Sequence, residues 1–171
     1  MLKYGGLMIL VGLFATDSRA DWQYTTWGAT PAQVEEAMAK AGVTKLPPPQ
    51  AVEKQQGRGP SFEFRGDYKT GRFQFSALFG FERSSGKLVE VRLVPESGSE
   101  CGSIKEAMLD QYGPVESESV EHQTNLIKSV NLRWRDVTAK NTVVMNDYVA
   151  MGTRGCAISY KPLLAGKGSG L

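Results

Sequence analysis

Residues 73–95 constrain the fold more than any other stretch. Phe73, Phe75, Ala77, Phe79 and Phe81 alternate with Gln74, Ser76, Leu78 and Gly80. Side chains on a strand point to opposite faces in turn, so this period predicts a strand with one heavily aromatic face. Ser84-Ser85-Gly86 supplies a turn. Leu88-Val89-Glu90-Val91-Arg92-Leu93-Val94 then runs to Pro95, which closes the strand. Val89, Val91 and Leu93 are expected on one face, with Glu90 and Arg92 on the other. This hairpin is the strongest β signal in the chain.

Helical signals precede and follow it. Thr30 is a good N-cap, Pro31 suits the first helical position, and Gln33 completes a capping box. Val34, Ala37, Met38 and Ala41 form a narrow apolar stripe, and Gly42 ends the helix. Glu35 and Glu36 lie near the positive end of its dipole and Lys40 near the negative end. A second capping box is read at Ser103 and Glu106, with Ile104, Ala107, Met108 and Gln111 on one side. Gly113-Pro114 is a sharp stop.

The remaining stretches complete a pattern. Trp22 to Thr26 alternates as a short edge strand, and Trp22, Tyr24 and Trp27 are read as covering one end of the core; an exposed aromatic platform is the other reading. Residues 43–60 form a connector. Its Pro47-Pro48-Pro49 suits either a stiff spacer or docking on a partner's aromatic groove. Phe62-Glu63-Phe64-Arg65 is a strand ending in Gly66-Asp67. A polar connector is expected from Val115 to Lys128. Val130, Leu132 and Trp134 then alternate with Asn131, Arg133 and Arg135, and strands follow at 142–149 and 156–160.

The order helix, connector, three strands thus occurs twice. The expected fold class is α+β: two αβββ repeats, about 27–95 and 99–161, with an antiparallel sheet and helices packed on one face. One domain would span 21–162, with a flexible tail at 163–171.

Compartment and chemistry are bounded in the same way. Lys3, the apolar run Leu7 to Ala15, and the polar Thr16 to Arg19 have the build of a signal peptide, with small Ser18 and Ala20 placing cleavage between Ala20 and Asp21. The apolar run is too short to span a bilayer, which takes roughly 20 residues. No Cys stands at the cut, so a lipoprotein is not expected. The expected location is the periplasm or outside the cell, and there Cys101 and Cys156 most simply pair with each other. Of 20 basic and 18 acidic residues, the leader takes Lys3, Arg19 and Asp17, leaving a net charge of +1. That balance does not suit a phosphate backbone, so no nucleic-acid partner is expected.

No catalytic, metal or cofactor motif stands out. His122 is the single histidine, in the acidic stretch Glu116 to Gln123. That stretch reads as a solvated connector, and its spacing matches no metal loop. No serine lies in a Gly-x-Ser-x-Gly elbow. Gly166 to Gly170 lacks the spacing of a phosphate loop and reads as a flexible end. Arg133, Arg135 and Asn131 would share a strand face, suited to an acidic partner or simply to solvent.

Trp27-Gly28-Ala29-Thr30-Pro31-Ala32-Gln33-Val34, and Tyr112-Gly113-Pro114 closing the second helix, carry a resemblance. The order of elements over residues 27–161 resembles that of the outer-membrane assembly lipoprotein family and the tandem-module β-lactamase inhibitor proteins. The chain departs from both, lacking a lipid-accepting Cys and offering one disulfide where tandem inhibitors usually have more. The resemblance implies a scaffold for protein–protein contact. The expectation is therefore a non-enzymatic binding or assembly module of the cell envelope, without cofactor, acting on an unidentified protein partner. An inhibitor of a periplasmic or secreted enzyme, an enzyme with an unfamiliar site, and a small-ligand binder with the Phe73 to Phe81 face lining a cavity are the alternatives.

Overall fold

The computed structural model describes residues 21–49, 59–124 and 127–163. The leader, with the cut after Ala20, and the tail beyond 163 lie outside the described residues.

The chain builds one seven-stranded antiparallel sheet. A two-residue hairpin comes first, β1 (Asp21–Trp22) and β2 (Thr25–Thr26), with Gln23 at φ +50° in its turn. Helix α1 (Pro31–Lys40) follows. The sheet strands are β3 (Ser61–Thr70), β4 (Phe73–Phe81), β5 (Leu88–Pro95), β6 (Ser117–Thr124), β7 (Ile127–Asp136), β8 (Asn141–Ala150) and β9 (Thr153–Pro162). Helix α2 (Cys101–Tyr112) stands between β5 and β6. The sheet order is β3-β4-β5-β9-β8-β7-β6. Two meanders, β3 to β5 and β6 to β9, meet along their last strands through Val91–Tyr160, Arg92–Ser159 and Leu93–Ile158.

This overturns the expected fold class. Strand makes up 52% of the described residues, and only two short helices accompany the sheet there, so the fold is β-rich and not a pair of αβββ repeats. The physical reason lies in residues 117–124. Their polar side chains suggested a connector, yet they hydrogen-bond to β7 as an edge strand, from Ser117–Arg133 to Thr124–Ile127. An edge strand with water on both sides carries no apolar alternation for the eye to find, and charged side chains suit it because they deter further strand addition. The two halves are thus a three-strand and a four-strand meander, and the duplication is withdrawn.

Other local expectations shift for identifiable reasons. β3 does not stop at Gly66. A Cβ there would lie 2.6 Å from Val43 Cγ1 and 2.8 Å from Met38 Cε, so glycine lets α1 sit close on the strand. A bulge between Gly80 and Phe81 places Leu88, not Val89, opposite Phe81 on the covered face. Helix α2 begins at Cys101 with no side-chain cap, after a short 3-10 turn at Gly98–Glu100 that Ser97 caps, so the Ser103 box is not used. The α1 box is formed: Thr30 Oγ1 accepts from Gln33 N, and Gln33 Oε1 accepts from Thr30 N at 2.9 Å.

The core lies on one face of the sheet. Phe64, Phe75, Phe79, Phe81, Val91, Leu93, Leu132, Trp134, Val143, Met145 and Ile158 are buried there with Val34 and Met38 of α1 and Ile104 and Met108 of α2. Trp22 and Trp27 are buried too, which makes them core and not a platform. Trp27 Nε1 donates to Asn141 Oδ1 at 2.9 Å, tying the start of the described chain to β8. Cys101 and Cys156 form a disulfide with Cα atoms 5.8 Å apart, linking the first turn of α2 to β9. That bond is compatible with an exported protein. No described helix is long and apolar enough to cross a membrane.

Candidate functional site

Strand alternation that points large apolar groups inward leaves a second face with the opposite character. On β4, β5, β9, β8 and β7 it presents Ser76, Arg92, Ser159, Asn146 and Arg133, none of them buried. Among the described residues no helix covers this face. Ser76 and Leu78 of β4 and Ser119 and Glu121 of β6 line a single cleft of about 890 Å³, although four strands lie between them. A flat sheet would present no such enclosure, so the open face is concave.

Its floor is held by a network centred on Glu90. The side chain is only 2% exposed, and Arg92 Nε and Nη2 donate to Oε1 at 3.0 and 2.8 Å. Ser159 Oγ donates to the same oxygen at 2.8 Å, and Lys161 Nζ lies 3.2 Å from Oε2. Burial pushes the Glu90 pKa up, but Arg92, Lys161 and the Ser159 hydroxyl more than offset that, and it sits below the ordinary carboxylate value. Glu90 is therefore a buried anion whose partners are only partly exposed, Arg92 at 27% and Lys161 at 50%. The Arg92 guanidinium lies 4.5 Å from the Phe62 ring centroid, and Phe62 in turn fills the space beside Gly80, where a Cβ would come within 2.8 Å of that ring.

Two further chains of polar contacts fix the flanks. Arg65 donates to Ser76 Oγ at 2.8 Å and to the Pro47 carbonyl at 3.2 Å. This places the start of the proline run along β3 as a bound segment, with Pro49 on the cleft rim. On the other side Asn146 Nδ2 donates to Asn131 Oδ1 at 2.8 Å, and Asn131 Nδ2 to Glu121 Oε1 at 3.3 Å. The Tyr148 ring lies over Gly155, where a Cβ would come within 2.5 Å of it.

Arg133 and Arg135 do share this face with Asn131. They continue it into an adjoining depression of about 970 Å³ together with Lys140 and Lys161. Arg135 pairs with Glu116 at its edge. Arg92, Arg133, Arg135, Lys140 and Lys161 face Glu90, Glu116 and Glu121 across the two hollows, a net positive surface. The sequence flagged Arg133 and Arg135; it missed Glu90, whose role depends on Ser159 and Lys161, some seventy residues away. Glu90 and Arg92 on one face of a strand were the available signal.

Among the described residues no group of three His, Cys, Asp or Glu is placed to hold a metal ion. The His122 side chain lies outside the described residues. Comparison with known proteins finds no match: no family model, no curated protein and no solved structure is similar to this chain.

Proposed function

We propose that this chain is an exported binding module that acts by contact with an acidic protein partner, docked on the concave face of the sheet. The observation that carries the reading is the net-positive face over which no described helix lies, with Arg92, Ser159, Asn131 and Asn146 held by hydrogen bonds before any partner arrives. Strand-borne groups fixed in this way lose little freedom on binding, which favours affinity. The face spans six strands, a breadth suited to the roughly 800 Å² per partner of a specific protein interface. The disulfide supports action in an oxidising compartment, the periplasm or the exterior.

The test is site-specific photocrosslinking in producing cells. A photoreactive residue at Tyr148, on the open face, should give a discrete adduct, and one at Lys40, on the exposed side of α1, should not. Equal adducts at both positions, or none at Tyr148, would refute the docking face. Fractionation and N-terminal sequencing of the mature chain, expected to begin at Asp21, test export separately.

A further inference from the structure

A third hollow lies on the covered side of the sheet, independent of the docking face. It opens between the β1–β2 hairpin and α2, at the end of the sheet where the β3–β4 and β7–β8 turns meet, and has a volume of about 490 Å³. Small-molecule sites commonly fall within roughly 300–1,000 Å³. Rings form one part of its wall, Trp22, Tyr68, Phe75, Tyr112 and Tyr160, and aliphatic side chains of β5, α2 and β9 form another. Trp22 and Tyr68 lie 5.1 Å apart between centroids, and Gln23 Nε2 donates to the Tyr68 hydroxyl at 3.0 Å, which fixes that wall. Among the described residues lining the hollow, Asp136, at the end of β7, is the one that carries charge. Asp136 Oδ1 accepts from Ala139 N at 2.9 Å, so the carboxylate is held in place by its own turn. Burial holds the phenols of Tyr112 and Tyr160 protonated, and the charge of Asp136 adds a smaller push in the same direction.

Ring faces carry negative potential and a carboxylate carries negative charge, so both attract the same kind of guest. We infer that this aromatic hollow is a binding site for a small organic cation with an apolar body, its charge set toward Asp136. The rings take the body and the ring faces share the charge, while an anion of the same shape is repelled. The chain already uses such a contact nearby: the Arg72 guanidinium lies 5.1 Å from the Phe73 ring centroid.

The experiment titrates the oxidised mature chain with benzyltrimethylammonium, with its neutral isostere neopentylbenzene, and with phenylacetate, by calorimetry and by tryptophan fluorescence. The cation should bind at about millimolar or tighter and about tenfold better than the isostere, with phenylacetate weakest. Asp136→Asn keeps an oxygen for Ala139 N, so it should keep the fold and lose most of the preference for the cation. Ala107→Leu, which fills the hollow from α2, should abolish binding of both cation and isostere with the melting temperature maintained. Equal binding of cation and isostere, an undiminished preference in Asp136→Asn, no binding at millimolar cation, or unaltered binding in a folded Ala107→Leu chain would each overturn the assignment.

Discussion

On β4, Phe75, Ala77 and Phe79 are at most 3% exposed, while Ser76 between them is half-buried and bonded to Arg65. The same contrast runs across the sheet, with Leu93 against Arg92, Ile158 against Ser159, Met145 against Asn146, and Trp134 against Arg133. One face is closed by two helices and a disulfide. The other has no described helix over it; Phe62 and the Pro47–Pro49 segment lie at its β3–β5 end, where Leu78 and Glu90 are 1% exposed, and elsewhere its polar groups bond to one another. Burial holds one face; charge-assisted hydrogen bonding organises the other. A sheet face with a fixed polar network and a buried carboxylate at its centre is what the proposed contact surface requires.

The sharpest way to break the comparison is to remove mass from the covered face. Phe79 packs against Trp22, Tyr24 and Phe64 and is fully buried. Phe79→Ala should cost about 3–5 kcal/mol in chemical denaturation, since the rings around it cannot fully collapse into the gap. Replacing both Cys101 and Cys156 by Ser should cost slightly less. Freeing a loop of 55 residues returns entropy to the unfolded chain worth about 4 kcal/mol on the loop-closure model, measured as the shift in denaturation midpoint.

The open face should respond by a different rule. Arg92→Met leaves Glu90 buried with fewer partners, whereas Glu90→Gln leaves Arg92 and Lys161, 27% and 50% exposed, free to turn to water. The first should cost about 2–4 kcal/mol and the second about 1–2, an order opposite to their burial. Glu90 also sets an acid limit. Its folded pKa lies below the unfolded value of 4.5, so its ionised form stabilises the fold above that pH. That contribution is lost as pH falls through the lower folded value. Acid titration of stability should therefore show a loss below about pH 4.5 that is reduced in Glu90→Gln. The smallest effect is expected at Thr30→Ala, which breaks the α1 capping box on a helix end exposed to solvent and should cost about 1 kcal/mol by thermal melting.

The covered face was legible in the sequence because it is written in local periodicity. Phe75 to Phe81, Leu132 and Trp134 fall in the core with Val34 and Met38 of α1 and Ile104 and Met108 of α2, while Ala41 and Gln111 of the expected stripes are exposed; the Thr30 cap forms at the exposed start of α1. The open face was legible only in fragments. Arg133 and Arg135 were placed together, but the Glu90–Ser159–Lys161 cluster forms through the seam between β5 and β9, which nothing local encodes. Residues 117–124 misled for the same reason. A strand at the edge, wet on both faces, is defined by its partner's backbone and not by its own pattern. Reading those residues as a connector produced three strands in the second half instead of four, and with them the mistaken repeat. The aromatic hollow was visible as the possibility that Phe73 and its neighbours line a cavity, while the contribution of Asp136 needed the strand's end to be located.

The account stands on the open face as the working surface. Its most direct test is the yield of the Tyr148 photoadduct in the native chain, in Arg133→Glu and in Lys40→Glu. Arg133 is exposed, so its reversal should change stability by no more than about 0.5 kcal/mol. The account predicts that the adduct is lost in Arg133→Glu and retained in Lys40→Glu, with all three chains melting alike. An adduct of undiminished yield in Arg133→Glu would contradict it.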